Sequence, residues 1–415
     1  MALIVKKFGG TSVADPEKIK NVVERVLKKK NEGNQIVVVL SAMSGETNRL
    51  TDFALAMQDI PDSREMDVLL SSGEQVTVSL FSMAVKARGG DCISFLGDQV
   101  KILTDNSHTK ARIESIDSDR ITRELDKGKI VVVAGFQGVA ENGDITTLGR
   151  GGSDTTAVAL AAVLEADACE IFTDVEGVYT TDPNMCRRAI KIEKIAYDEM
   201  LELASLGAKI LDIRSVTFAK KYKVPLHVRS TFTESEGTWV IEENEEMEGK
   251  VVSGVTYNRN EARITISGVP DQPGIASKVF TPISDADIIV DMIIQNQDTG
   301  NGMTDMTFTV LRSDYQRTMK LLKSVAEETG ATGGIHGSES IAKISIVGVG
   351  MRNHSGIATT MFSVLSNEGI NISMISTSEI KVSCIIEEKY TELAVRALHD
   401  AFALDKKYVP EEVFS

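Results

Sequence analysis

Two textures of apolar residues alternate along the first 245 positions. A short apolar run at Ile4 to Phe8 meets two glycines. The stretch PEKIKNVVERVLKKKNEG then spaces Ile19, Val22, Val23, Val26 and Leu27 three and four residues apart. That spacing predicts an amphipathic helix, with Asp15 suited to cap it, Pro16 to its first position and Gly33 to its stop. IVVVL at Ile36 to Leu40 and IVVVA at Ile130 to Ala134 are uniformly apolar, the mark of strands buried on both faces. Between them, Val76, Leu80, Met83, Ala84 and Ala87 share one helical face, which predicts that face for the core. A small-residue helix from about Thr155 to Ala166 leads to a strand ending at Thr173. Buried strands alternating with helices predict an α/β unit with a mainly parallel sheet, whose ligand loops lie beyond the carboxyl ends of the strands.

Past Glu245 the pattern repeats itself. ITISGVPDQPGIASKVFTPISDADIIVDMIIQN, from Ile264, matches ISIVGVGMRNHSGIATTMFSVLSNEGINISMISTS, from Ile344, once a two-residue insertion is allowed. Each copy continues into another strand (TFTVL, KVSCII) and an amphipathic helix, giving strand, helix, strand, strand, helix. One further strand would close each copy as a β-α-β-β-α-β module. The expected domains are 1–245, 246–337 and 338–415, with residues 250–263 available for strand exchange. Duplication can be a means of burying two sheets against one another, or can create a ligand site where the turns before the helices converge.

Composition narrows the function classes. Lys plus Arg number 45 against 60 Asp plus Glu, a net charge of -15 that disfavours nucleic acid and anionic membrane as partners and requires a local basic pocket for any anionic substrate. No run reaches membrane-span length and no secretion signal opens the chain, so the cytoplasm is the expected location. Cys92, Cys169, Cys186 and Cys384 are scattered without a C-x-x-C pair, which argues for buried thiols rather than a zinc site.

Three loops could carry chemistry. In KKFGGTS the lysines precede the glycines, the reverse of a P-loop; strand alternation sends Lys6 and Lys7 to opposite faces. Lys7 could meet a phosphoryl group cradled by the amides of Gly9 and Gly10, or both lysines could be solvated beside a turn. LGRGGSDTTAV offers Arg150, glycines and Asp154 at a helix start, suited to an anion in transfer or simply to a tight capped turn. IFTDVEGVYTTDP sets Thr173, Asp174, Tyr179 and Asp182 at a strand exit, a nucleotide edge or an ordinary polar turn. Glu74, Ser41 and Thr47 are weaker signals; a lone acid at a helix start is commonly a cap or dipole partner.

KFGGTS, VVLSAMSGETN, SSGEQ, GFQG, LGRGGSDTTA, FTDVEGVYTTDP and ELASLGAKIL, together with the duplicated modules, resemble the aspartate kinases of the monofunctional type with two ACT modules. The resemblance implies the three-layer α/β amino-acid-kinase fold with two ferredoxin-like α+β modules. It also implies ATP-dependent phosphorylation of the side-chain carboxylate of L-aspartate with Mg2+, at the head of lysine, threonine, methionine, isoleucine and diaminopimelate synthesis. Carried over by motif, Lys7 neutralises the transferring group with Gly9 and Gly10, and Asp154 organises the metal-phosphate side. Arg150 holds an aspartate carboxylate, Glu74 and Thr47 the ammonium end, and Ser41 lies near the phosphate path. Thr173, Asp174, Tyr179, Asp182 and Lys209 form the nucleotide side, although Asn184 stands where many relatives have arginine, and KILDIRS departs from the KILHPRS of some. Lysine and threonine are the implied effectors, with Asp271, Gly274, Ile275, Ala276, Gln295 and Asn296 lining the first module and Asn371, Ile372, Ser378 and Glu379 the second. A homodimer through the ACT modules, or a heterotetramer with a shorter ACT-only product starting near Met247, is the implied assembly.

Overall fold

In the computed structural model, which describes residues 1–205, 210–296 and 302–406, the two uniformly apolar runs are neighbours. Strand Gln35–Leu40 lies between Leu3–Phe8 and Ile130–Ala134, all parallel, in an eight-stranded sheet. From one edge the strands run Lys194–Ala196, Thr238–Ile241, Leu226–Ser230, Ala168–Thr173, Leu3–Phe8, Gln35–Leu40, Ile130–Ala134 and Cys92–Phe95. Only the junction of Thr238–Ile241 with Leu226–Ser230 is antiparallel, so the sheet is mainly parallel as the apolar runs predict. Helix Pro16–Asn31 starts where expected, the Asp15 carboxylate accepting from the Lys18 amide and Pro16 filling the first turn. A second, four-stranded sheet (Ile113–Ile116, Ile102–Thr104, Gln137–Ala140, Ile145–Thr147) forms a lobe over the strand exits; nothing in the apolar pattern marks it.

Helix Ser63–Ala87 corrects one expectation. Val76, Leu80 and Met83 are exposed, whereas Leu70, Gly73, Glu74, Thr77, Val78, Phe81 and Val85 are buried. The helix is apolar on most of its circumference, so periodicity alone could not choose its inner face. Its length and apolarity would suffice to cross a membrane, yet half of its most apolar window is buried within the fold.

The carboxy-terminal modules are antiparallel four-stranded sheets. In the first, Val290–Gln295, Met303–Leu311, Glu261–Pro270 and Gly334–Ser338 lie in that order, with helices Ile275–Asp285 and Tyr315–Thr329 completing β-α-β-β-α-β. In the second the closing strand comes from upstream: Gly254–Asn258 pairs with Ile341–Val347, followed by Lys381–Glu387 and Met374–Thr377. Lys343 is buried in this body with its ammonium 2.5 Å from Glu261 and in contact with Asp291, strands of the first module thus meeting one of the second.

The chain divides into Met1–Tyr179 with Lys191–Glu248, and Thr180–Ile190 with Gly249–Ser415. This differs from a simple boundary at 245, because Thr180–Ile190 packs with the ACT modules. The Thr180 carbonyl accepts from the Val255 amide at 2.8 Å and its hydroxyl lies 2.9 Å from His399 Nε2. Arg396 donates to the Met185 carbonyl at 2.8 Å, Tyr257 donates to Asp182 at 2.9 Å, and Arg188 pairs with Asp400 at 2.8 Å. Met185 itself belongs to the second module's apolar core. All four cysteines are buried free thiols.

Candidate active site

Five separate stretches of sequence reach one cavity of about 630 Å³, lined by Lys7, Gly10, Ser41, Thr47, Glu74, Thr109, Thr147, Arg150 and Asp154 among others. Parallel strands explain the convergence: Lys7 lies near the carboxyl end of Leu3–Phe8, and Ser41 follows the end of Gln35–Leu40 beside it. Lys6 and Lys7 do point apart. Lys6 is neither solvated nor near the cavity; it is 2% exposed and paired with Glu170, and burial pulls its pKa down against the pull of that carboxylate. Lys7 instead sets its ammonium 2.5 Å from Asp154, which lies in the first turn of helix Gly152–Val163. Only about an eighth of either side chain is exposed, 12% for Lys7 and 13% for Asp154, so the pair works in a medium where charge interactions are strong.

The loop into that helix requires glycine at Gly151. Its φ is 73°, and a Cβ there would fall 2.3 Å from the Asp212 side chain. Arg214 donates to the Arg150 carbonyl at 2.6 Å, so the loop is gripped from helix Ile213–Tyr222 while the Arg150 side chain stays exposed.

Glu74 is not at a helix start. It sits inside Ser63–Ala87, which Asp62 caps, so a capping role is excluded. Gly73 lets the helix press against Ala42, where a Cβ would come within 2.8 Å of the alanine methyl. The Ala42 amide consequently reaches Glu74 Oε1 at 3.0 Å. Oε2 is buried with no hydrogen-bond partner, and burial raises the carboxyl to about 7, only partly offset by the amide. A buried carboxylate oxygen left open in a cavity is a ready partner for an ammonium group.

Other expected site residues fall differently. The Gly9 amide already donates to the Phe172 carbonyl at 3.3 Å, an expense of one cradle donor; Gly10 remains at the cavity wall. Thr173 and Asp174 stand at the exit of the strand next to Lys7's and bond to each other, while Tyr179 bridges to Lys191; none of the three lines this cavity. Asp182 belongs to the other unit, where Tyr257, the Asn184 amide and the Asn184 side chain occupy its carboxylate. Lys209 lies outside the described residues. Among effector candidates, Gly274 precedes helix Ile275–Asp285, Gln295 and Asn296 close strand Val290–Gln295, and Asp271, Gly274 and Ala276 are exposed. Ile275 is in the module's core and can offer only its backbone. In the second module Asn371 and Ile372 precede strand Met374–Thr377, Ser378 turns the next hairpin, and Glu379 faces Arg352 at 3.5 Å.

Sequence reading missed Asp67, a buried acid that bonds to His108, Thr109 and Thr147. The available signal was its place seven residues before Glu74, two turns away on the same helix face.

Comparison with known proteins accounts for this arrangement. Residues 2–230 match the amino acid kinase family, and 263–327 and 344–402 match ACT domains. An aspartate kinase of Stutzerimonas stutzeri is 58% identical over 98% of both chains. Escherichia coli aspartokinase III, solved with aspartate and ADP in its R-state, is 26% identical, with a TM-score of 0.78 over 96% of this chain and 99% of that one. The same enzyme with lysine and aspartate, in its T-state, gives a TM-score of 0.76 at 26% identity over 96% and 99% of the two chains. With an amino acid kinase match over residues 2–230, two ACT matches after it and relatives of this identity along nearly the whole length, the chain belongs to the aspartate kinases of the amino acid kinase family, enzymes that phosphorylate aspartate with ATP.

Proposed function

We propose that the cavity is the acceptor side of this reaction, with Glu74 and Thr47 receiving the aspartate ammonium, Arg150 its α-carboxylate, and Ser41 bordering the phosphate path. The observation that carries it is the unpartnered, buried Glu74 Oε2 in the same cavity as the guanidinium of Arg150 and the ammonium of Lys7. An amino acid with two carboxylates needs one anionic and two cationic partners, and the cavity supplies them. The side-chain carboxylate of aspartate is already an ionised nucleophile, so no protein base is required. One carboxylate oxygen bonds to the γ-phosphorus as the bridging oxygen of ATP leaves with its electron pair on ADP. Lys7 lowers the repulsion between the two anions, and Asp154 holds Lys7 in place.

ATP approaches from the exits carrying Thr173, Asp174 and Tyr179. Asp154 fits magnesium as a single protein carboxylate for an ion held otherwise by nucleotide phosphates; no cluster of three His, Cys, Asp or Glu side chains occurs among the described residues. Magnesium, when bound, spreads the charge of the triphosphate.

The two ACT modules act as amino-acid sensors, with lysine and threonine as inhibitors. The lysine-bound T-state of the Escherichia coli enzyme supports this reading for lysine, and the duplicated turns before the module helices supply two places to bind. Exposed Ile289, Ile293 and Ile375 lie on or beside edge strands of these modules, which favours a homodimer through them; a heterotetramer with an ACT-only product is the competing assembly. Purified protein given ATP, magnesium and aspartate should release ADP, and lysine and threonine, titrated singly and together, should lower that rate several-fold. Rates unchanged under every combination reject both effectors. A faster reaction with glutamate or carbamate than with aspartate overturns the acceptor assignment.

A further inference from the structure

Asp67 leaves helix Ser63–Ala87 two turns before Glu74, and seven residues place both on one face. Its side chain is completely buried. Such a carboxylate is costly unless donors surround it, and here three groups do. The Thr109 amide donates at 3.0 and 3.1 Å to its two oxygens, the Thr147 hydroxyl donates to Oδ1, and His108 Nδ1 lies 2.7 Å from Oδ2.

Those donors are not incidental to the cavity. Thr109 and Thr147 both line it. Thr109 has a φ of 67°, unusual for a threonine, and its carbonyl stands so close to Gly149 that a Cβ there would lie 2.9 Å from it. The Ala111 amide then donates to the Thr147 carbonyl at 2.9 Å, locking the two chain segments together. Gly149 is the residue before Arg150. One carboxylate therefore joins the long helix to two walls of the cavity and, through Gly149, to the base of the Arg150 loop.

We propose that Asp67 is a positioning residue for the acceptor. It fixes the Thr109 and Thr147 walls and the start of the Arg150 loop, and so sets the affinity for the amino acid rather than the rate of phosphoryl transfer or the affinity for ATP. The proposal rests on the reading of Glu74 and Arg150 as acceptor ligands.

The test is steady-state kinetics on the full-length protein. Asp67→Asn turns an amide NH2 toward groups that themselves donate, and Thr147→Val removes one donor alone. In both variants the aspartate KM should rise about 10-fold or more, while kcat and the ATP KM stay within about 3-fold. Thr147→Ser, which keeps the hydroxyl, should raise the aspartate KM less than Thr147→Val does. An unchanged aspartate KM, or an ATP KM that rises in step with it, overturns the proposal. If Asp67→Asn does not fold cooperatively, Thr147→Val decides by the same criteria. Arg150→Ala and Glu74→Gln measured in parallel separate the two claims: if they leave aspartate affinity unchanged, the acceptor reading itself has failed. If they weaken it and the Asp67 and Thr147 variants do not, only the role of Asp67 is lost.

Discussion

Lys7→Ala is expected to lower kcat about 10³-fold, the scale seen when one preorganised charge or donor is removed from a site where negative charge develops. The loss has two parts. The ammonium no longer offsets repulsion between the carboxylate and the phosphoryl group, and Asp154 is left as an uncompensated anion in the same place. The fold should survive, since Lys7 reaches into a cavity rather than the core. Lys6→Ala supplies the contrast. Lys6 is sealed against Glu170, whose other cationic neighbour, Arg229, is 3.7 Å away, so this variant should unfold about 3 kcal/mol more easily without a specific defect in turnover. ADP-release kinetics and thermal unfolding on both variants check the pair. Normal turnover in Lys7→Ala would remove it from the mechanism.

Glu74→Gln should abolish most activity while making the free protein more stable above neutral pH. The carboxyl is raised from 4.5 to about 7 by burial, so the native state holds its proton more tightly than the unfolded chain does. Stability therefore falls as pH rises through this window, and the full penalty, on the order of 3 kcal/mol, is present above about pH 7. Glutamine carries no charge and escapes it, though its amide still wants partners; a gain of about 1 to 3 kcal/mol at pH 8 is expected, shrinking toward zero at pH 5. Function runs the other way. Only the ionised carboxylate pairs with an ammonium, so kcat/KM for aspartate in the natural enzyme should fall as pH drops below 7, approaching 10-fold per unit. In Glu74→Gln the residual rate should lose that limb of the profile. A variant equally stable at pH 5 and 8 relative to the parent would show that Glu74 is not strained by burial. The trade of stability for an open charge is a signature of binding sites.

Much of this was legible in the chain. Uniformly apolar strands located the sheet, and the displaced repeat from Ile264 and Ile344 located both modules. Lys7, Glu74, Arg150 and Asp154 could each be nominated by motif, and they line one cavity. What escaped was set by long-range packing. The inner face of Ser63–Ala87 depends on the elements that pack against it, not on its own periodicity, so Val76, Leu80 and Met83 lie outside although they share one helical face. The partners of Asp67 lie 41, 42 and 80 residues away, beyond any local pattern. The Gly9 amide was spent on Phe172 because the adjacent parallel strand ends level with it. Residues 250–263 were open to strand exchange in the sequence, but that Gly254–Asn258 closes the second module is decided by its pairing with Ile341–Val347 across the whole first module.

The detour of Thr180–Ile190 makes the order of synthesis matter. Met185 leaves the ribosome 211 residues ahead of Arg396, which will hold its carbonyl, so two apolar side chains made early, Met185 and Cys186, are buried last. A protein cut after Glu248 keeps Lys7, Glu74, Arg150 and Asp154 but carries this segment with its lodging gone, and it should aggregate more readily than the full chain. The converse fragment is equally incomplete. A product beginning near Met247 would retain Tyr257, Arg396 and His399 while lacking the residues they grip, leaving an open berth on its second module that the same module of the full-length chain fills from within.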